Sequence, residues 1–118
     1  MKERRDSPRV SKQLSIKISS GDFDILTETK NISASGAYFP VSKPLSLMTK
    51  LEVVLLIPLK KNKSKVIRKV NCSGIVVRVE PIKDNGKYPY RVAMYFSSLK
   101  EPDKRVLRSY VNSTLKDQ

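Results

Sequence analysis

Two short stretches hold residue types that could recognise an anionic, nitrogen-rich ligand. The first is Arg4-Arg5-Asp6-Ser7-Pro8-Arg9, which contains R-x-x-x-R at Arg5 and Arg9. The second is Asn31-Ile32-Ser33-Ala34-Ser35-Gly36, which reads [DN]-x-S-x-x-G. The Asn31 carbonyl can accept hydrogen bonds from a ring N–H or an exocyclic amine, and its amide can donate. Ser33 offers a small hydroxyl that donates or accepts. Gly36 permits a positive φ, or lets a ligand approach with no Cβ in the way. Each stretch is weak by itself. The chain has 24 Lys+Arg in 118 residues, and Ser, Asn and Gly gather in turns for local reasons.

The elements between them bring the two stretches together. Leu14, Ile16 and Ile18 alternate with polar residues, Ser20-Gly21-Asp22 is a turn signal, and Phe23, Ile25, Thr27 and Thr29 alternate again. Two alternating runs around a glycine turn predict a β-hairpin. If it folds about Ser20-Gly21, Asn31 lies opposite Val10 and next to Arg9. Both stretches then meet at one end of one sheet.

In this order and at this spacing the two motifs resemble the PilZ domain, a bacterial receptor for cyclic di-GMP. The resemblance extends along most of the chain. Gly74-Ile75-Val76-Val77-Arg78 and Tyr90-Arg91-Val92-Ala93-Met94-Tyr95-Phe96 are similar to two later strands of that family. Ala93 stands where a small residue, often Gly, is expected; that departure concerns packing rather than the ligand motifs.

The resemblance implies a site for two phosphates and two guanines. Arginine suits both, because its planar fork matches phosphate oxygens and the guanine O6/N7 edge. Arg5 and Arg9 are assigned to guanine edges and phosphates. Asn31 and Ser33 are assigned to the other guanine or its sugar-phosphate, and Gly36 to close approach. Arg4 directly precedes the motif. As a third guanidinium it could stack on an outer base of an intercalated cyclic di-GMP dimer or neutralise its extra charge.

Composition narrows the alternatives. The net charge is +13 and the pI near 10, which favours anionic partners, although part of the excess serves solubility. The chain has no His, which excludes His-based triads and the usual zinc sets. Its 11 Asp+Glu are scattered, and no P-loop occurs. No catalytic constellation emerges, and no metal or other cofactor is expected. One cysteine, Cys72, excludes an internal disulfide. No apolar run approaches the roughly 18–20 residues of a membrane span, and no signal peptide is evident. A cytoplasmic protein without membrane insertion is expected.

Further strand signals cover Ala37–Phe39, Lys50–Pro58, Val66–Val79 and Tyr88–Phe96. Lys60–Lys65 reads as a solvated hairpin tip whose charges block edge pairing. Within Val66–Val79 the inward set is expected to shift phase near Gly74, from Val70 and Cys72 to Ile75 and Val77. Asp84-Asn85-Gly86 is a hairpin turn signal. Ser98-Leu99-Lys100-Glu101 fits a capping box. Val106, Leu107, Tyr110, Val111 and Leu115 then form a helical core stripe.

The expected fold is all-β with a terminal helix: a small six-stranded antiparallel β-barrel closed by a C-terminal α-helix over about residues 99–115. Residues 1–11 read as a flexible basic arm carrying R-x-x-x-R, and residues 12–118 as the barrel. The expected function is a cyclic di-GMP receptor, not an enzyme. Ligand would order the arm on the barrel and signal to an unidentified protein partner. Two other readings stand beside it. One is a PilZ-like adaptor working by protein contact alone, which would have no need of intact motifs. The other is a basic nucleic-acid-binding β-barrel, weakened by the few exposed aromatics for base stacking.

Overall fold

The structure is a computed structural model, and it describes residues 8–21, 23–82, 86 and 88–116. Its elements are β1 (Ser15–Ser20), β2 (Phe23–Glu28), β3 (Asn31–Ile32), β4 (Gly36–Val41), β5 (Lys50–Lys61), β6 (Ser64–Pro81), β7 (Tyr90–Ser98) and α1 (Glu101–Lys116). The strands form one antiparallel sheet in the order β2-β1-β5-β6-β7-β4-β3. The all-β architecture with a terminal helix is as expected. The seventh strand is the two-residue β3, too short to carry an alternation signal.

The sheet is curled because its two ends are neighbours in the chain. Only Thr29 and Lys30 separate β2 from β3. The Thr29 N–H donates to the Leu14 carbonyl at 2.9 Å, and the Lys30 N–H donates to the Tyr38 carbonyl at 2.7 Å. Two consecutive residues thus serve opposite ends of the sheet. Thr29 is fully buried, and its hydroxyl has partners on both sides. It donates to the Lys12 carbonyl at 2.7 Å and accepts from the Leu14 N–H at 2.9 Å, which removes the cost of burying it.

The concave face holds the core: Ile16, Ile18, Phe39, Leu51, Val53, Leu55, Ile57, Val70 and Val92 are all nearly inaccessible. The helix seals it with Leu107 and Val111. The Lys104 N–H donates to the Lys100 carbonyl, so the helix begins after Lys100 while Ser98 still belongs to β7. The expected cap at Ser98 is therefore two residues early. Glu101 and Asp103 lie in the first turn, where the helix dipole favours negative charge. Asp103 accepts from Arg68 Nη2 at 2.9 Å, tying the helix to β6. Leu115 is 37% exposed; the buried place on that face belongs to Thr114. Cys72 is a core group. Burial, then the charges of Asp103 and Glu52, push its thiol up to about 11, so it stays protonated and inert at neutral pH.

Three sequence expectations shift. Ser20 pairs with Phe23, so the first hairpin turns between these two residues and its register moves by two residues. An even shift keeps every side chain on its expected face. The inward set of β6 continues through Val70, Cys72, Gly74 and Val76, and Val77 is 51% exposed. The irregularity opposite Gly74 falls on β7, while β6 itself bulges at Val77. The lysine tip narrows to Asn62-Lys63, both with positive φ, the geometry of a two-residue hairpin loop. Asp84 and Asn85 of the last expected turn lie outside the described residues.

Candidate ligand-binding site

The second motif is a tight connection from β3 to β4. The Ser33 N–H donates to the Gly36 carbonyl at 2.9 Å. The Ser33 hydroxyl accepts from the Ser35 N–H at 3.1 Å and the Gly36 N–H at 3.2 Å. Ser33 is 6% exposed. Its hydroxyl is thus committed to the turn, and a purely ligand-facing role does not describe it. Ser33→Ala leaves two N–H groups without that acceptor and should cost about 1 kcal/mol, roughly 4 °C in the Tm of the ligand-free protein. A thermal melt checks this, and an unchanged Tm would return Ser33 to a ligand-only role.

Gly36 has its own structural reason. No described glycine has a positive φ, so conformational freedom is not why it is there. A Cβ at Gly36 would stand 2.3 Å from the Met94 carbonyl oxygen of β7. The glycine is needed for β4 and β7 to pair.

Arg9 reaches the same place because Val10 is tied down. The Val10 N–H donates to the Ile32 carbonyl and the Ile32 N–H to the Val10 carbonyl, both at 2.9 Å, and the Val10 side chain is buried. Val10 thus pairs one residue beyond the expected Asn31. Arg9, exposed and directly before this anchor, lines one cleft with Asn31, Ser33 and Gly36. Arg4 and Arg5 lie outside the described residues.

The cleft has a volume of about 170 Å³, and Tyr38, Val77, Arg78, Ala93 and Tyr95 also line it. Cross-strand pairing explains the set. Asn31 pairs with Tyr38, Tyr38 with Ala93, and Ala93 with Arg78, so the four form one row across β3, β4, β7 and β6. Ala93 is the small residue in the middle. It lines the cleft beside Asn31 and Tyr38. Tyr38 and Arg78 are residues that sequence reasoning missed. Outward alternation was visible at Tyr38, but no local signal shows which distant strands become neighbours.

Around the end of this row lies a charged network. The Tyr38 hydroxyl donates to Glu80 Oε1 at 2.7 Å. Burial, then this hydrogen bond, raises its pKa above the ordinary value, so it remains a donor at neutral pH. Arg78 Nε lies 3.2 Å from Glu80 Oε2, and its guanidinium is 5.9 Å from the Tyr38 ring centre. Arg91 of β7 pairs with Glu80 of β6, and its Nε is buried without a hydrogen-bond partner among the described residues.

A larger groove of about 700 Å³ is lined by residues such as Lys17, Leu26, Val54 and Tyr88. It contains no residue of either motif and no guanidinium, so the smaller cleft has the chemistry for an anionic purine ligand. Among the described residues no group of three His, Cys, Asp or Glu side chains is placed to hold a metal ion. None of their helices is long and apolar enough to cross a membrane.

The PilZ domain family model matches residues 3–113, and the chain belongs to that family. Its fold is similar to that of the inhibitor of motility MotI/DgrA from Bacillus subtilis, at 21% identity and TM-score 0.81, covering 98% of this chain and 54% of that one. It is similar to the PilZ domain of YcgR with c-di-GMP from Escherichia coli, at 14% identity and TM-score 0.67, covering 98% and 93%. It also resembles the K. pneumonia MrkH–c-di-GMP complex, at 18% identity and TM-score 0.71, covering 98% and 54%. The chain thus spans about half the length of MotI and of MrkH. No curated protein sequence matches it.

Proposed function

We propose that this chain is a cyclic di-GMP receptor whose ligand lies across the cleft between Arg9 and the Asn31–Arg78 row. One observation carries the reading most directly: the barrel places Arg9 beside Asn31, Ser33 and Gly36 in a single cleft. The family membership and the ligand-bound YcgR and MrkH structures support it. At about 170 Å³ the cleft is smaller than the ~300–1,000 Å³ of pockets that enclose a ligand. The nucleotide therefore spreads over its mouth, and Arg4 and Arg5 close over it as the arm orders on the barrel. A partner protein then reads the ordered arm, in the cytoplasm, and no catalytic step is involved. A second concavity, sharing Ser35 and Tyr95 with the first, gives room for a second molecule. That supports an intercalated dimer stabilised by Arg4.

Calorimetric titration with cyclic di-GMP, cyclic di-AMP, GMP and GTP tests this. Cyclic di-GMP should bind far more tightly than the others, with two ligands per chain. Arg4→Ala should lower the ratio to one while keeping binding. Equal binding of cyclic di-AMP removes the guanine readout, because adenine presents a donor where guanine presents O6. A wild-type ratio of one removes the dimer. No heat and no stability gain with any of the four would favour the ligand-free adaptor instead.

A further inference from the structure

The row that starts at Asn31 ends on an arginine that neither motif contains. We propose that Arg78 is a ligand-binding arginine of this site. Glu80 is the internal anion that holds it until a ligand phosphate takes its place. The inference rests on the cyclic di-GMP reading above and names a residue beyond it.

The β-bulge is the device that presents Arg78. Val76 is buried, yet both Val77 and Arg78 face outward, because Val77 is the extra residue between the Val76–Met94 and Arg78–Ala93 pairs. Bulges re-aim side chains in this way. Arg78 therefore lines the same cleft as Arg9, at the far end of the row from Asn31. Its Nε faces Glu80 Oε2 at 3.2 Å, while Tyr38 pins the other carboxylate oxygen at 2.7 Å.

This ion pair is easy to exchange. The two side chains are 56% and 41% exposed, and pairs so open to solvent are worth little. A phosphate diester brings the same charge, with oxygens that fit the guanidinium fork. Exchange satisfies Arg78 again but leaves Glu80, tethered by Tyr38, close to an incoming anion. An isolated phosphate that displaces Glu80 thus gains no net charge pairing. A cyclic dinucleotide is long enough to reach Arg9 in the same cleft as well as Arg78. Glu80 accordingly weakens all anions at this wall and selects those that span the cleft.

The test is calorimetric titration of the full chain with cyclic di-GMP and with GMP, each at low and near-physiological salt, with a melt for every variant. Arg78→Ala should weaken cyclic di-GMP about tenfold or more, and Arg78→Lys should fall between it and wild type. Glu80→Gln should tighten binding about threefold or more at low salt, less at higher salt, and should tighten GMP by the larger factor. Arg108→Ala removes the same charge from the exposed face of α1 and should stay within about twofold of wild type. Wild-type affinity in Arg78→Ala, or weaker binding in Glu80→Gln, overturns the inference while the receptor reading stands. Should Arg78→Ala fail to fold, Arg78→Lys carries the same decision. Wild-type protein that binds no cyclic di-GMP removes both.

Discussion

Arg9→Ala is expected to weaken cyclic di-GMP binding by about 100-fold while leaving the Tm of the ligand-free protein nearly unchanged. The two halves follow from different facts. Arg9 is exposed, and the anchor of its segment is the neighbouring Val10, which pairs with Ile32 through backbone groups and buries its own side chain. Truncating the arginine leaves that anchor intact. In the cleft, a charge-assisted or bidentate guanidinium contact is worth about 1.5–3 kcal/mol, and about 2.7 kcal/mol corresponds to two decades of affinity. Arg9→Lys keeps the charge and loses the fork, so it should recover only part of the loss. Titration of both variants beside thermal melts decides the matter. A Tm drop of many degrees in Arg9→Ala would make the arginine a structural group. Submicromolar DNA binding at physiological salt, indifferent to Arg9, would shift the function toward a nucleic-acid-binding barrel.

Much of this arrangement was readable from local pattern. Leu14, Ile16, Ile18 and Ile25 gave β1 and β2 their faces, and the even register error preserved them. Val106, Leu107, Tyr110 and Val111 gave the helix its inward side. What alternation could not supply was the partner of each strand. The row Asn31, Tyr38, Ala93, Arg78 draws on four strands whose members are far apart in the chain. Its pairing is set by the curl at Thr29-Lys30 and by the bulge at Val77. The glycine drew the expected phase shift to Gly74, whereas the bulged residue Val77 carries no compositional mark, so Val77 read as inward. The same limit affected the motif itself. Ser33 and Gly36 were identified by type, but a short hydroxyl and a missing Cβ look alike whether they serve a ligand or a turn. Only the Ser35 and Gly36 N–H groups on Ser33, and the Met94 carbonyl behind Gly36, show the structural share of each role.

Gly36→Ala should be the most damaging of the conservative changes in this site. The new methyl would lie 2.3 Å from the Met94 carbonyl oxygen, 3.3 Å from its carbon and 3.4 Å from the Tyr95 Cα. All three are backbone atoms of a paired strand, so no side chain can turn away to make room. β4 must shift against β7, disturbing both their ladder and the Ser33 turn. Overpacking of this kind costs about 2–3 kcal/mol, on the order of 10 °C in Tm for a domain of this size. The cleft deforms with it, so cyclic di-GMP affinity should fall as well. Two other glycines calibrate the effect. A Cβ at Gly74 would meet the Met94 Sδ, Cγ and Cε, a flexible side chain that can rotate, and a Cβ at Gly21 would meet nothing within 4 Å. The loss of Tm should therefore rank Gly21→Ala least, Gly74→Ala intermediate and Gly36→Ala greatest. If Gly36→Ala instead keeps the wild-type Tm and loses only ligand binding, the glycine serves nucleotide approach alone, and the strand-contact account is wrong.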